Sequence, residues 1–207
     1  MNILKKGFTY YVLATIFTSL ILMSYIKDDV IVPMLDLSGW LFFITSCISH
    51  AAILLLALWL IFFLPLALLK KERWAVGLFI GVVSVLATMA FINMQVYKIY
   101  RFHINGFIIN MITGPNAGDI FDFSPYLYLT EGISLLVVIG ICIGLWPAAK
   151  WLSSRIRKRG VTILISSLVG ITLIANGIHV YGSFVAKPSI LQSVRLVPYY
   201  FPLSANL

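Results

Sequence analysis

Charge is scarce in this chain, and it is scarce in blocks. Of 207 residues only 7 are acidic and 15 basic, 11% in all against 61% hydrophobic, whereas a typical soluble domain is about one quarter charged. From Ser38 to Leu69 there are 32 consecutive positions without Asp, Glu, Lys or Arg, more than the roughly 20 apolar residues that carry a helix across about 30 Å of hydrocarbon. These gaps exclude a water-soluble globular domain. Cysteine is almost missing: Cys47 and Cys142 both lie in apolar stretches, where a thiol acts as a small hydrophobe, so a disulfide framework is excluded. The 3 histidines fall on separate segments with no pair at ligand spacing, so no metal site is expected. The chain also lacks a Gly-x-Ser-x-Gly elbow, a phosphate-cradling glycine loop, His-Glu-x-x-His and paired carboxylates. Neither catalysis nor a cofactor is expected of these residues.

What remains is an all-α membrane protein. Apolar runs bounded by charge predict a five-helix transmembrane bundle over 1–182, with spans at about 7–26, 38–69, 74–97, 126–149 and 161–182. Pro65, near the end of the long second span, is expected to kink its last turns. Ten basic residues (Lys5, Lys6, Lys70, Lys71, Arg73, Lys150, Arg155, Arg157, Lys158 and Arg159) fall on one side of the bundle, with Glu72 as the one acid there. The other side is close to neutral. Basic residues near span ends stay in the cytoplasm, which predicts a cytoplasmic N-terminus and a periplasmic C-terminus. Topology and anionic headgroups therefore account for the net charge of +8, and no nucleic-acid partner is expected. The run Arg155 to Arg159 reads either as a topology anchor or as a dock for a cytoplasmic partner.

Two segments outside the spans carry the functional expectation. Residues 98–124 interleave aromatic, basic and aliphatic side chains without reaching the length of a span, which suits the headgroup layer. Tyr97, Tyr100 and Phe102 are expected to anchor there, with Lys98 and Arg101 reaching lipid phosphate. Residues 183–207 form a linker punctuated by Pro188, Pro198 and Pro202 and rich in Leu196, Val197, Tyr199, Tyr200, Phe201 and Leu203. Such residues are costly to leave in water, so the linker lies either on lipid or on the rim of the bundle.

Within the spans polar residues are few; Ser46, Ser49, His50, Thr88, Asn93, Gln95, Glu131, Ser134, Asn176 and His179 stand out. Asn93, Gln95, Glu131, Asn176 and His179 sit near the outer ends, and of the ionisable residues only His50 lies deep, as a hydrogen-bonding partner for another helix. Gly77 with Gly81, and Gly140 with Gly144, are small-xxx-small pairs that predict close packing of the third and fourth helices, and more weakly a homo-oligomer.

The run Val96-Tyr97-Lys98-Ile99-Tyr100-Arg101-Phe102-His103-Ile104-Asn105 resembles the signature after the third span in the membrane domain of the YejM/PbgA family. So do His50 with Phe63-Leu64-Pro65-Leu66, His179-Val180-Tyr181, Leu196-Val197-Pro198 and Phe201-Pro202-Leu203-Ser204-Ala205, all in matching order. The resemblance implies a bacterial inner-membrane module that senses lipopolysaccharide or its lipid A, or an anionic phospholipid, at the periplasmic face. It also implies binding to a LapB-like adaptor, through which family members govern turnover of LpxC. By the same resemblance the lipid would meet Arg195, Lys187, Tyr199, Tyr200, Phe201 and Ser204 of the linker and Arg101, His103 and Asn105 of the signature run. The partner would meet Arg155, Arg157, Lys158 and Arg159. The family's sulfatase-like domain is not among these residues, and Asn206 stands where relatives often carry basic residues, which weakens the phosphate-binding part of the linker. The alternative is the membrane anchor of a periplasmic lipid-headgroup transferase or hydrolase of the alkaline-phosphatase/sulfatase superfamily.

Overall fold

A backbone in hydrocarbon must satisfy every N–H and C=O within its own segment, so the apolar runs become helices. The computed structural model describes residues 3–115, 124–198 and 200, and every regular element among them is helical. α1 (Ile3–Met23) tightens into a 3-10 turn, Ser24–Lys27, and a second 3-10 turn, Val32–Met34, follows. α2 (Leu37–Leu58), a π turn (Trp59–Phe63) and α3 (Leu64–Leu68) form one rod. Then come α4 (Glu72–Tyr100), the short α5 (Gly106–Thr113), α6 (Pro125–Arg155), α7 (Lys158–Phe184), the short α8 (Pro188–Ser193) and a last 3-10 turn, Val194–Leu196. Five helices, Ile3–Lys27, Leu37–Leu68, Glu72–Tyr100, Pro125–Arg155 and Arg159–Phe184, are long and apolar enough to cross a membrane. Four of them overrun the predicted spans, and the second is shifted by one residue, because hydropathy marks the hydrocarbon, whereas capping sets the helix end. The Asp36 carboxylate accepts from Gly39 N–H, and Ser124 Oγ accepts from Leu127 N–H.

The bundle has two ends: an N face, carrying the start of α1 and the α3–α4 and α6–α7 turns, and an opposite C face, carrying residues 28–36, 101–105, 188–198 and Tyr200. α1 packs against α2, α4 and α6, while α7 packs mainly on α2. Of an 18-residue apolar window, 56% is buried in α1 against 6% in α7, although the window in α1 is the least apolar of the five. In lipid that inversion is expected, because polar side chains gain more by facing other helices than hydrocarbon. Thr9, Thr15, Thr18 and Ser19 are buried. The Tyr10 and Tyr11 hydroxyls donate across the bundle to the carbonyls of Cys142 at 3.0 Å and Ala52 at 3.1 Å. Leu136 and Leu173, exposed on the perimeter, present the apolar surface that acyl chains cover.

Pro65 acts on the turn before it. Its missing N–H and its ring disrupt regular i to i−4 pairing, and the rod widens into the π turn at Trp59–Phe63. This turn delivers Phe63, fully buried, to the spot beside Gly7, where any Cβ would overlap its ring.

The expected glycine packing is corrected. A Cβ at Gly77, Gly81, Gly140 or Gly144 would meet nothing within 4 Å, so these faces do not bring α4 and α6 together. Close approach occurs instead at Gly7, at Gly39 against Ser189 and at Gly182 against Ile190. The last two seat the linker. α7 ends with Lys187 N–H donating to the Gly182 carbonyl at 2.8 Å and Ala186 at φ 49°, a left-handed cap that turns the chain back over the C face. Ile190, Leu196 and Val197 are then buried there, so this part of the linker lies on the rim of its own bundle.

Candidate functional site

The C face is organised by two short polar side chains, Asp28 and Asn93. Where α1 ends, the Asp28 carboxylate accepts from the backbone N–H groups of Val30 at 2.9 Å and Ile31 at 2.6 Å, closing a turn. Its other oxygen accepts from the Tyr97 hydroxyl at 3.0 Å and pairs with Arg101 Nη1 at 3.3 Å. Burial alone would raise the carboxyl pKa, but the Ile31 and Val30 N–H groups, the Tyr97 hydroxyl and the Arg101 charge outweigh it and hold it below the usual carboxylate range. Arg101, in the left-handed region at φ 60°, ends α4 and also pairs with Asp29 at 2.7 Å.

Asn93 fixes the direction of the next set of bonds. The Ile104 backbone N–H can only donate, and it does so to Asn93 Oδ1 at 2.7 Å. The Asn93 amide nitrogen must then donate, reaching the Tyr25 hydroxyl at 2.6 Å and His103 Nδ1 at 2.9 Å. His103 Nδ1 is therefore an acceptor, and its Nε2–H donates to the Arg195 carbonyl at 2.8 Å. The linker is thus tied to α4 through a neutral imidazole, stacked on Tyr97 with centroids 4.8 Å apart.

Burial lowers the His103 pKa from its ordinary value, against the smaller raising effect of the Arg195 carbonyl. An unfolded chain therefore takes up this proton first, at about 6.5, and stability present above that pH is lost as pH falls through and below it. We expect thermal unfolding in detergent to shift to lower temperature between pH 7.5 and 5.5. His103→Gln, which keeps a donor and an acceptor, should lose most of that shift; an unchanged shift would remove His103 as its source.

A pocket of about 400 Å3 opens here, with Asp28, Tyr97, Arg101, Phe102, His103 and Arg195 in its wall. Three sequence-predicted ligands, Arg101, His103 and Arg195, converge on it from two segments. The others are placed elsewhere. Lys187 pairs with Asp36 at 2.9 Å, beside a bond from Ser189 Oγ to the same carboxylate at 2.8 Å. The Asn105 side chain caps α5, accepting from the N–H groups of Phe107 and Ile108. Tyr200 inserts its ring among Phe42, His50 and His179, at 5.6, 6.4 and 5.5 Å between centroids. Tyr199, Phe201 and Ser204 lie outside the described residues.

Two expectations for the headgroup layer change. Tyr97 is buried in the bundle rather than anchored among headgroups, because its hydroxyl serves the buried Asp28. Lys98 and Arg101 spend bonds on protein, on Gln95 Oε1 at 2.7 Å and on the two aspartates. Of the C-face cations predicted to meet lipid, Arg101 and Lys187 are in ion pairs; Lys98 and Arg195 are in none among the described residues, and Lys98 is held by Gln95. Asp28 and Tyr25 are not among the predicted site residues; the signal available was an acid two residues past an apolar span.

On the N face, the Arg155 guanidinium lies 3.6 Å from the Trp151 ring centroid, and Lys5 Nζ donates to the Ile156 carbonyl at 2.6 Å. Arg157 and Arg159 are exposed, and the Lys158 side chain lies outside the described residues. Among the described residues no group of three or more His, Cys, Asp or Glu side chains is placed to hold a metal ion.

No curated protein matches the chain. Residues 2–207 match the model of a family described as a domain of unknown function, DUF3413, which is known as the N-terminal domain of sulfatase-like proteins. With that match spanning nearly its whole length, and with five membrane-length helices, the chain belongs to the DUF3413 family.

Proposed function

We propose that this domain is a non-enzymatic inner-membrane module whose C face, set in the periplasm, binds the phosphorylated headgroup of lipopolysaccharide or a related anionic lipid. The observation that carries this reading is Arg195: an exposed side chain in the wall of the C-face pocket, outside every ion pair among the described residues, on a backbone held by His103. A guanidinium matches phosphate oxygens with two parallel donors, and anchoring its backbone reduces the ordering that binding requires. The ten basic residues around the N face support the orientation by the positive-inside tendency. The resemblance to the YejM/PbgA family supports lipopolysaccharide as the lipid and a LapB-like adaptor as the partner, with Arg155, Arg157, Lys158 and Arg159 at the contact.

Arg195→Ala should weaken retention of lipid A by about 10-fold or more, since a bond to a charged group contributes about 1.5–3 kcal/mol. Thermal unfolding without lipid should be unchanged, because the Arg195 carbonyl rather than its side chain joins the fold. Lipid A titrated against both proteins, with unfolding temperature as the readout, checks this; equal stabilisation of the two would refute it.

Membership of a family known as the N-terminal domain of sulfatase-like proteins favours one further reading, a membrane anchor for an enzyme acting on periplasmic lipid headgroups. Loss of lipid A selectivity in the isolated domain, with the Arg195→Ala domain indistinguishable from the natural one, would favour it.

A further inference from the structure

A second polar cluster lies on another side of the bundle, between α4 and α6. Gln95 bridges two opposite charges: its Nε2 donates to both oxygens of Glu131, at 2.7 and 2.6 Å, and its Oε1 accepts from Lys98 Nζ at 2.7 Å. Lys98 and Glu131 form no ion pair with each other among the described residues. Each charge is held apart by the amide and keeps bonding capacity: the ammonium has two further N–H donors and the carboxylate has further lone pairs.

Beside this cluster runs an open groove of about 680 Å3, walled by Phe91, Ile92, Val96, Ile99, Leu127 and Leu135. Its walls are those of an acyl-chain slot, and its depth matches the charges. α6 has 31 residues, about 46 Å at 1.5 Å per residue, so it exceeds about 30 Å of hydrocarbon by roughly 8 Å at each end when centred. Glu131 lies six residues after Pro125, about 9 Å down the helix, at the border of hydrocarbon and headgroups. Lys98 is two residues from the end of α4, in the headgroup layer. An ionisable side chain at the edge of the hydrocarbon is costly without a partner there.

We propose that this groove is a binding site for a zwitterionic diacyl phospholipid whose headgroup ends in a primary ammonium, with the ammonium on Glu131, the phosphate on Lys98 and one acyl chain between α4 and α6. Charge complementarity selects this occupant. An anionic headgroup would place a second negative group beside Glu131, and a quaternary ammonium offers no N–H to the carboxylate. This site is separate from Arg195 and its pocket.

The test uses the purified 207-residue chain in detergent, offered equal amounts of phosphatidylethanolamine, phosphatidylcholine and phosphatidylglycerol, with bound lipid counted by native mass spectrometry. Measured in the Arg195→Ala chain, which removes the C-face contact for anionic headgroups, phosphatidylethanolamine should be retained about 10-fold over each of the others, and adding Glu131→Gln should bring that ratio close to one. Gly132 lines the groove, and a Cβ there meets nothing within 4 Å, so Gly132→Leu should fill the slot without touching either charge and reduce retention of the lipid. Equal retention of phosphatidylethanolamine and phosphatidylcholine, stronger retention of phosphatidylglycerol, a preference that survives Glu131→Gln, or undiminished binding by Gly132→Leu would each overturn the assignment.

Discussion

Asn93→Ala should destabilise the domain by about 2–4 kcal/mol and loosen the linker at the same time. The substitution leaves the Ile104 N–H, the Tyr25 hydroxyl and His103 Nδ1 without the partner that Asn93 now supplies to all three. An unsatisfied buried group costs about 1–3 kcal/mol, while interhelical polar bonds in membrane proteins average only about 0.6 kcal/mol, and three such losses near the bundle's edge fall between those limits. Without Asn93, His103 is no longer directed at the Arg195 carbonyl, so the chain around 187–198 should become a substrate for limited proteolysis while the helices remain folded. Asn93→Asp separates the roles. A carboxylate still accepts from Ile104, and the Tyr25 hydroxyl would have to turn from acceptor to donor, but the new charge favours a protonated imidazole beside it. That variant should hold its linker at pH 5.5 better than at pH 8, the reverse of the natural protein. An Asn93→Ala protein with unchanged unfolding temperature and proteolysis would show that the linker is held by its apolar contacts alone.

Gly7→Val should be comparably damaging, through packing. Phe63 is fully buried, lies against Phe79 and Trp59 with ring centroids 5.5 and 5.8 Å away, and occupies the space that a side chain at position 7 would take. Overpacking of this kind costs about 1–3 kcal/mol. Emptying the same space with Phe63→Ala should cost about 3–5 kcal/mol. Because the two positions share one volume, Gly7→Val combined with Phe63→Ala should destabilise by clearly less than the sum of the singles. Unfolding of all four proteins in one detergent measures the coupling, and strict additivity would show that the contact contributes nothing.

The number and order of the membrane helices were legible because one property, the absence of charge, marks hydrocarbon directly. The interior was less so. α1 has the weakest apolar signal and the most buried position; its Thr9, Tyr10, Tyr11, Thr15 and Ser19 look like interruptions in a hydropathy reading, yet they are the contacts that make it central. The glycine pairs misled for a related reason: spacing shows that a helix face is flat, but not whether another helix meets it, and the glycines under pressure, Gly7, Gly39 and Gly182, have no such spacing. The C-face pocket draws on three stretches, 28–31, 97–103 and 195, that no local pattern connects. Arg101 was named from the interfacial pattern of 98–124, and His103 and Arg195 from a resemblance in order and residue type; what could not be read was their division of labour: one side chain for the aspartates, one for the fold, one left outward.

The π turn at Trp59–Phe63 also sets the azimuth of everything after it. If the same residues ran as uninterrupted α-helix, each would advance about 100° around the axis, the extra residue that the wide turn absorbs would no longer be absorbed, and the segment Leu64–Leu68 would be rotated relative to the stretch before it. Phe63 would swing away from Gly7, and Ala67, now buried, would turn toward a different neighbour. The wide turn works as a fixed phase offset between the two halves of one rod: Leu37–Leu58 is timed to meet α1 and α7, and the last turns are timed to meet α4.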